Sequence, residues 1–156
     1  MTRLLPIAVA LTATLAIPAC APKPPAGVDA ELLAQEIGNA VGSDSTCVLF
    51  ARAGGDGAVV HRYGTHLTCG RTLPSCDGSS VTAADMLKRA AKGEVLSLSC
   101  DTRLEDARTV GWATGPVAQA GPARDLVYVA VMEGDRALPG REIRTRIEAA
   151  FRVAKL

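Results

Sequence analysis

The chain has 156 residues, 48% of them hydrophobic and only 3% aromatic, with a formal net charge of +1. Acidic and basic residues are interspersed, which excludes the basic face of a nucleic-acid binder and the block of like charge of an acidic tail. The length allows one small domain with a single core and is too short for two.

The first segment, residues 1–19, carries Arg3, an apolar run from Leu4 to Ile17 and then Pro18-Ala19, the charged, apolar and small-residue order of an export signal. The run is shorter than the roughly 20 apolar residues a membrane span needs, and Pro6 and Pro18 would disturb a spanning helix. Ile17-Pro18-Ala19-Cys20 resembles a bacterial lipobox, with Ile where that motif usually has Leu. The resemblance implies cleavage before Cys20 and lipidation of its thiol with a diacylglycerol and palmitate-class acyl chains. It also implies a protein held at the bacterial cell envelope facing the periplasm. The absence of Asp after Cys20 points, by the same resemblance, to the outer membrane. An ordinary signal cut after Ala19, leaving a free thiol, is the alternative. Residues 20–27 include Pro22, Pro24 and Pro25 and read as a tether. A single domain over 28–156 follows.

Leu32, Leu33, Ile37 and Val41 keep helical spacing, with Asp29 and Glu31 near the start of a helix over 29–41 and Gly42 at its end. Cys47 to Arg52 and Ala58 to Tyr63 read as two strands joined by Gly54-Gly55-Asp56-Gly57, glycines that supply the positive φ a tight hairpin needs. Gly64 to Ser79 reads as a loop. A second helix spans about 80–91, capped by Ser80 or Thr82, with Ala83, Met86, Leu87, Ala90 and Ala91 as its apolar stripe and Gly93 after it. Three strands follow, Glu94 to Asp101, Ala107 to Val117 and Arg124 to Glu133. The last is apolar at alternate and intervening positions alike, which places it in the middle of a sheet covered on both faces. Trp112, the chain's one Trp, should anchor one side of the core. A final helix from Pro139 or Gly140 to Val153 offers Ile143, Ile147, Ala150, Phe151 and Ala154 to the sheet. This order predicts an α+β fold, a five-stranded, mainly antiparallel sheet with the N- and C-terminal helices packed on one face.

That order is similar to the sheet domain of serine β-lactamases and penicillin-binding transpeptidases, without their helical insertion. Cys47-Val48-Leu49-Phe50 with its Gly-rich turn looks like the first hairpin of that family, and Val110-Gly111-Trp112-Ala113-Thr114-Gly115 like its Gly-Trp strand. Leu126 to Met132 looks like the apolar strand that follows. The family's chemistry needs a Ser activated by a Lys one helical turn away. The chain contains no S-x-x-K, no S-x-N or Y-x-N, its one Asn being Asn39, and no Lys-Thr-Gly; Leu98-Ser99-Cys100-Asp101-Thr102 stands where the last would fall. The resemblance therefore implies a fold without the activity, and no catalytic residue is assigned.

Cys47, Cys69, Cys76 and Cys100 are an even set in an exported chain, which predicts two disulfides worth about 2 to 4 kcal/mol each. Zinc is the rival reading, but no pair has C-x-x-C spacing and His61 and His66 fall in no ligand pattern with them, so no metal or other cofactor is expected. On the resembling sheet, Cys47 with Cys69 and Cys76 with Cys100 is slightly preferred over Cys69 with Cys76 and Cys47 with Cys100. Among other residues, Asp85 and Lys88 sit three apart as an acid and base pair, more simply a solvated helix contact. His61 or His66 with Asp77, and Ser75 or Ser79 as nucleophile, would make a triad only if geometry assembled them. Gly111 and Gly115 lack a phosphate-loop pattern and read as close strand packing. Cys100 as a reactive thiol competes with its own pairing.

The function expected is a noncatalytic cell-envelope lipoprotein domain for binding or assembly, tied to the membrane by its lipid, with an envelope-protein or cell-wall partner and no nucleic acid. The alternatives are a serine hydrolase of the β-lactamase class with an unconventional nucleophile, for which Ser79, Ser80 and Ser99 are first candidates, and a structural envelope lipoprotein.

Overall fold

A computed structural model describes residues 27–101 and 109–156. The signal segment, Cys20 and the tether up to residue 26 lie outside the described residues, as do the first two residues of the expected strand from Ala107. The elements are α1 (Ala30–Val41), β1 (Thr46–Arg52), β2 (His61–Tyr63), α2 (His66–Gly70), β3 (Leu73–Pro74), β4 (Ser80–Val81), α3 (Ala83–Ala91), β5 (Ser97–Cys100), β6 (Val110–Pro116), β7 (Leu126–Glu133) and α4 (Gly140–Val153). The fold is α+β: five antiparallel strands in the order β2-β1-β7-β6-β5, with β7 central, and a separate two-stranded ribbon of β3 and β4.

Strict alternation along the strands sorts the core into two layers. Val48 and Phe50 of β1, Ala113 of β6, and Leu126, Tyr128, Ala130 and Met132 of β7 meet Leu33, Ile37 and Val41 of α1 and Ile143, Ile147 and Phe151 of α4. Phe151 packs its ring 5.7 Å from Phe50 and 5.1 Å from Tyr128, the latter edge to face. The opposite face presents Cys47, Leu49, Ala51, Val110, Trp112, Val127, Val129 and Val131 to α3, whose expected stripe of Ala83, Met86, Leu87, Ala90 and Ala91 is buried in full. Both terminal helices thus lie on one face and α3 covers the other.

The helix ends follow from local chemistry. Asp29 caps α1 by accepting from the Glu31 and Leu32 amides at 3.0 and 3.1 Å. Thr82, not Ser80, caps α3: it accepts from the Asp85 amide at 3.2 Å while the Asp85 carboxylate reaches back to the Thr82 amide at 3.3 Å, a capping box. Ser80 instead pairs with Pro74 in the ribbon, so the helix starts at Ala83. Helix α4 has no side-chain cap of its own; its Gly140 amide donates to Ser99 Oγ at 2.8 Å, a partner 41 residues away on β5. Gly111 makes this approach possible, because a Cβ there would run into the Leu138 carbonyl oxygen.

Four strands are shorter than the sequence predicts, among them β6, which leaves out Thr109 and Val117. Between β1 and β2 the chain turns at Gly54 and Gly57, at φ +72° and +84°, with Gly57 against Lys88 of α3; the Val60 amide donates to the Phe50 carbonyl at 2.8 Å, and the strand itself covers His61–Tyr63. At β5, the Thr114 hydroxyl donates to the Glu94 carbonyl at 2.9 Å and diverts the Leu96 amide to itself at 2.8 Å, although the Thr114 amide still donates to the Leu96 carbonyl at 3.0 Å, and the strand is Ser97–Cys100. The apolar run of β7 begins at Leu126 because Arg124 and Asp125 stand exposed in the preceding turn. The segment 64–79, read as loop from its sequence, contains α2 and β3. Thr65 caps α2 by accepting from the Thr68 amide at 3.0 Å, and Leu73 buries itself beneath the ribbon.

Candidate functional site

Residues 71–81 cross one end of the α3 face, and three attachments hold them there. Cys76 is bonded to Cys100 at the end of β5, Trp112 donates its indole N–H to the Pro74 carbonyl at 2.7 Å, and Arg71 Nη1 meets Glu133 of β7 at 2.6 Å, while the ribbon pairs Leu73 with Val81 inside the segment. Trp112 is fully buried and anchors the core as its sequence position implies, with the added role of fixing this loop. Cys76 itself sits at φ +69°, a left-handed conformation that non-glycine residues hold only when their surroundings impose it. Between this loop and the end of β5 opens a cleft of about 350 Å³, lined by Thr72, Ser79, Ser80, Cys76, Cys100 and Asp101 among others. A smaller recess of about 190 Å³ lies beside the same end of β5, against Ser99, Thr109 and Leu138.

The turn that bounds the cleft is a compact hydroxyl and carboxylate network. Asp77 Oδ1 accepts from Ser75 Oγ at 2.5 Å, from Ser79 Oγ at 2.7 Å and from the Ser79 amide at 2.9 Å. The Ser75 hydroxyl foremost, then that of Ser79, holds the Asp77 carboxyl well below the usual carboxylate range. A carboxylate so stabilised is a weak base, and both serines spend their protons within the cluster rather than on an activating group. Ser75 is buried, whereas Ser79 faces the cleft.

The structure brings together Ser75, Asp77 and Ser79 of the residues singled out from sequence, but not the histidines. His66 Nδ1 meets Arg62 Nη1 at 2.6 Å and His61 packs against the Phe50 ring with centroids 5.6 Å apart; neither lines the cleft. Ser99 is committed to the α4 amide, Asp85 to its capping box and to Lys88 Nζ at 3.0 Å. The Thr82 hydroxyl, then Lys88, lowers the Asp85 carboxyl below its ordinary value. Gly111 packs against the entry to α4, whereas Gly115 has only ordinary contact with Tyr128.

The four cysteines form Cys47–Cys69 and Cys76–Cys100, one of the connectivities left open by the sequence. Among the described residues no group of three or more His, Cys, Asp or Glu is placed to hold a metal ion, and no helix is long and apolar enough to cross a membrane.

One polar feature went unread in the sequence. Glu133, at the end of the central strand, is only 3% exposed and meets Arg71 Nη1 at 2.6 Å, while its Oε1 finds no hydrogen-bond partner. Burial pushes its carboxyl above the ordinary value despite the opposing pull of Arg71. The available signal was a carboxylate closing a strand otherwise apolar on both sides. No protein-family model, curated protein or solved structure matches the chain, so the residues around the cleft carry their own argument.

Proposed function

We propose that this chain is a noncatalytic, lipid-anchored envelope domain that binds a partner or cell-wall component at the cleft between the 71–81 loop and β5. The observation that carries the reading is the state of the serine hydroxyls there. Ser75 and Ser79 donate into an Asp77 carboxylate held below the ordinary range, and among the described residues no Lys, Arg or His lines the cleft to take a proton from Ser79 or Ser80. A hydroxyl in that setting is a hydrogen-bonding group for a ligand, not a nucleophile. The anchor at Cys20, the tether and the periplasmic, outer-membrane placement rest on the sequence pattern of residues 1–27.

The test is the intact mass of the mature protein, with and without reduction, after incubation with a penicillin-type or fluorophosphonate probe. Lipid on Cys20, four hydrogens regained on reduction and no acyl or phosphonyl group are the expected results. An adduct mapped to Ser79, Ser80 or Ser99 overturns the reading in favour of the serine hydrolase. If the mass is as expected but Ser79→Trp and Thr72→Trp leave recovery of envelope components unchanged, the cleft is not the binding surface and the structural-lipoprotein reading takes its place.

A further inference from the structure

The two disulfides close loops of similar length, with sequence separations of 22 and 24, yet they differ in what surrounds them. Cys47 is completely buried and Cys69 nearly so, beneath α2 and against the α3 face. Cys76 and Cys100 are half-buried and both line the cleft. Each is followed by a carboxylate, Asp77 and Asp101; Asp101 lines the cleft, no Lys, Arg or His is among its described lining residues, and Arg89 lies near enough to Asp77 to feel its charge. Thiol–disulfide exchange requires a thiolate to reach a sulfur in line with the bond it breaks, so access and local charge select both the bond and the attacking reagent.

We propose that Cys76–Cys100 is a thiol–disulfide exchange site, entered through the cleft by a neutral or cationic dithiol, and that Cys47–Cys69 is inert to the same reagent. One thiolate of the dithiol attacks a sulfur of the Cys76–Cys100 bond, forming a mixed disulfide and expelling the other cysteine as a thiolate, which takes a proton from water. The second thiolate of the dithiol then attacks the mixed disulfide and releases the remaining cysteine. The dithiol leaves as its own disulfide, oxidised by two electrons, and the protein gains two thiols. Cleavage removes the covalent link between the 71–81 loop and β5, leaving the Trp112 to Pro74 hydrogen bond, the Arg71–Glu133 ion pair and the short ribbon to hold the cleft wall. The inference stands on the disulfide's surroundings and is independent of whether the cleft binds a partner.

The experiment uses the full mature chain, oxidised, with any free thiol first blocked by N-ethylmaleimide. Native protein is treated with dithiothreitol, quenched with iodoacetamide at intervals and mapped by peptide mass. Alkylation of Cys76 and Cys100 at least about tenfold faster than of Cys47 and Cys69 is expected. Equal rates, or earlier opening of Cys47–Cys69, overturn the proposal. In a second arm, mixed-disulfide formation is timed with cysteamine and with 2-mercaptoethanesulfonate at matched thiolate concentration and low salt. The cationic thiol should react several-fold faster, with the gap closing near 1 M salt, where charges are screened beyond about 3 Å, and narrowing in Asp101→Asn. Equal rates for the two thiols at low salt overturn the charge selection.

Discussion

The two faces of the sheet are held by different means. On the face covered by α1 and α4, twelve- and fourteen-residue helices bring long aliphatic side chains and Phe151 against Phe50 and Tyr128, and no disulfide lies in that layer. On the other face the nine-residue α3, mostly alanine on its buried side, meets the sheet beside the five-residue α2, and all four described cysteines sit there. A short helix of small side chains removes little apolar area from water, and isolated helices of that length are marginal. Covalent bonds supplement burial where burial is least. Each bridge contributes about 3.5 kcal/mol by loop closure, comparable to burying one or two large apolar side chains.

The comparison can be broken from either side. Phe151→Ala empties the centre of the aromatic cluster and should cost about 3 to 5 kcal/mol in urea unfolding, the largest loss of any single truncation considered. The paired change Cys47→Ala with Cys69→Ala should cost about 3.5 kcal/mol, more than any truncation of an α3 alanine. If Phe151→Ala proved the milder of the two, the terminal-helix face would not be the better packed.

Smaller effects sharpen the contrast. Gly111→Ala drives a methyl group at the Leu138 carbonyl oxygen and should cost about 1 to 3 kcal/mol, with weakened amide-exchange protection in the first turn of α4 rather than in α3. Thr82→Ala removes the α3 cap and should cost about 1 kcal/mol, read as a lower thermal midpoint, with Thr82→Ser restoring most of it. A loss confined to α3 in that variant would show that this helix depends on its cap as the longer helices do not.

How far the chain could be read in advance follows the same physics. The central strand was legible because Leu126 to Met132 is apolar at every position and rich in β-branched residues, which suits a strand covered on both sides. The bounds of α4 and the glycine turn between β1 and β2 were legible because their signals are local. What escaped depends on partners distant in sequence. The capping of Gly140 by Ser99, the closing of β5 by Thr114 and the indole bond from Trp112 to Pro74 all span loops that composition does not encode. The five residues of α2 lack an apolar stripe, with Leu67 85% exposed, and the ribbon strands of two residues each are too short for any period. For the cleft, sequence proximity gathered Ser75, Asp77 and Ser79, and left a histidine partner to geometry, which places His61 and His66 away from the cleft.

Glu133 gives the subtlest way to separate the faces, because alternation along β7 puts its carboxylate on the α3 side, beyond Val131, and among the described residues no charged one is buried in the opposite layer. Its pKa is raised by burial above the ordinary value of 4.5, so the folded state binds its proton more tightly than the unfolded chain does. The stabilising contribution of the protonated form is then fully present below about pH 4 and is lost as pH rises through the elevated folded value. Glu133→Gln keeps an oxygen to accept from Arg71 and cannot ionise. The stability difference between wild type and this variant should therefore change across that window and stay flat above it, with the variant gaining on wild type as pH rises. Urea midpoints of the two proteins at several pH values from 3.5 to 8 would show it. A difference that instead moved in wild type's favour on raising the pH would mean that the Arg71 ion pair outweighs burial, and that the α3 face accommodates charge without penalty.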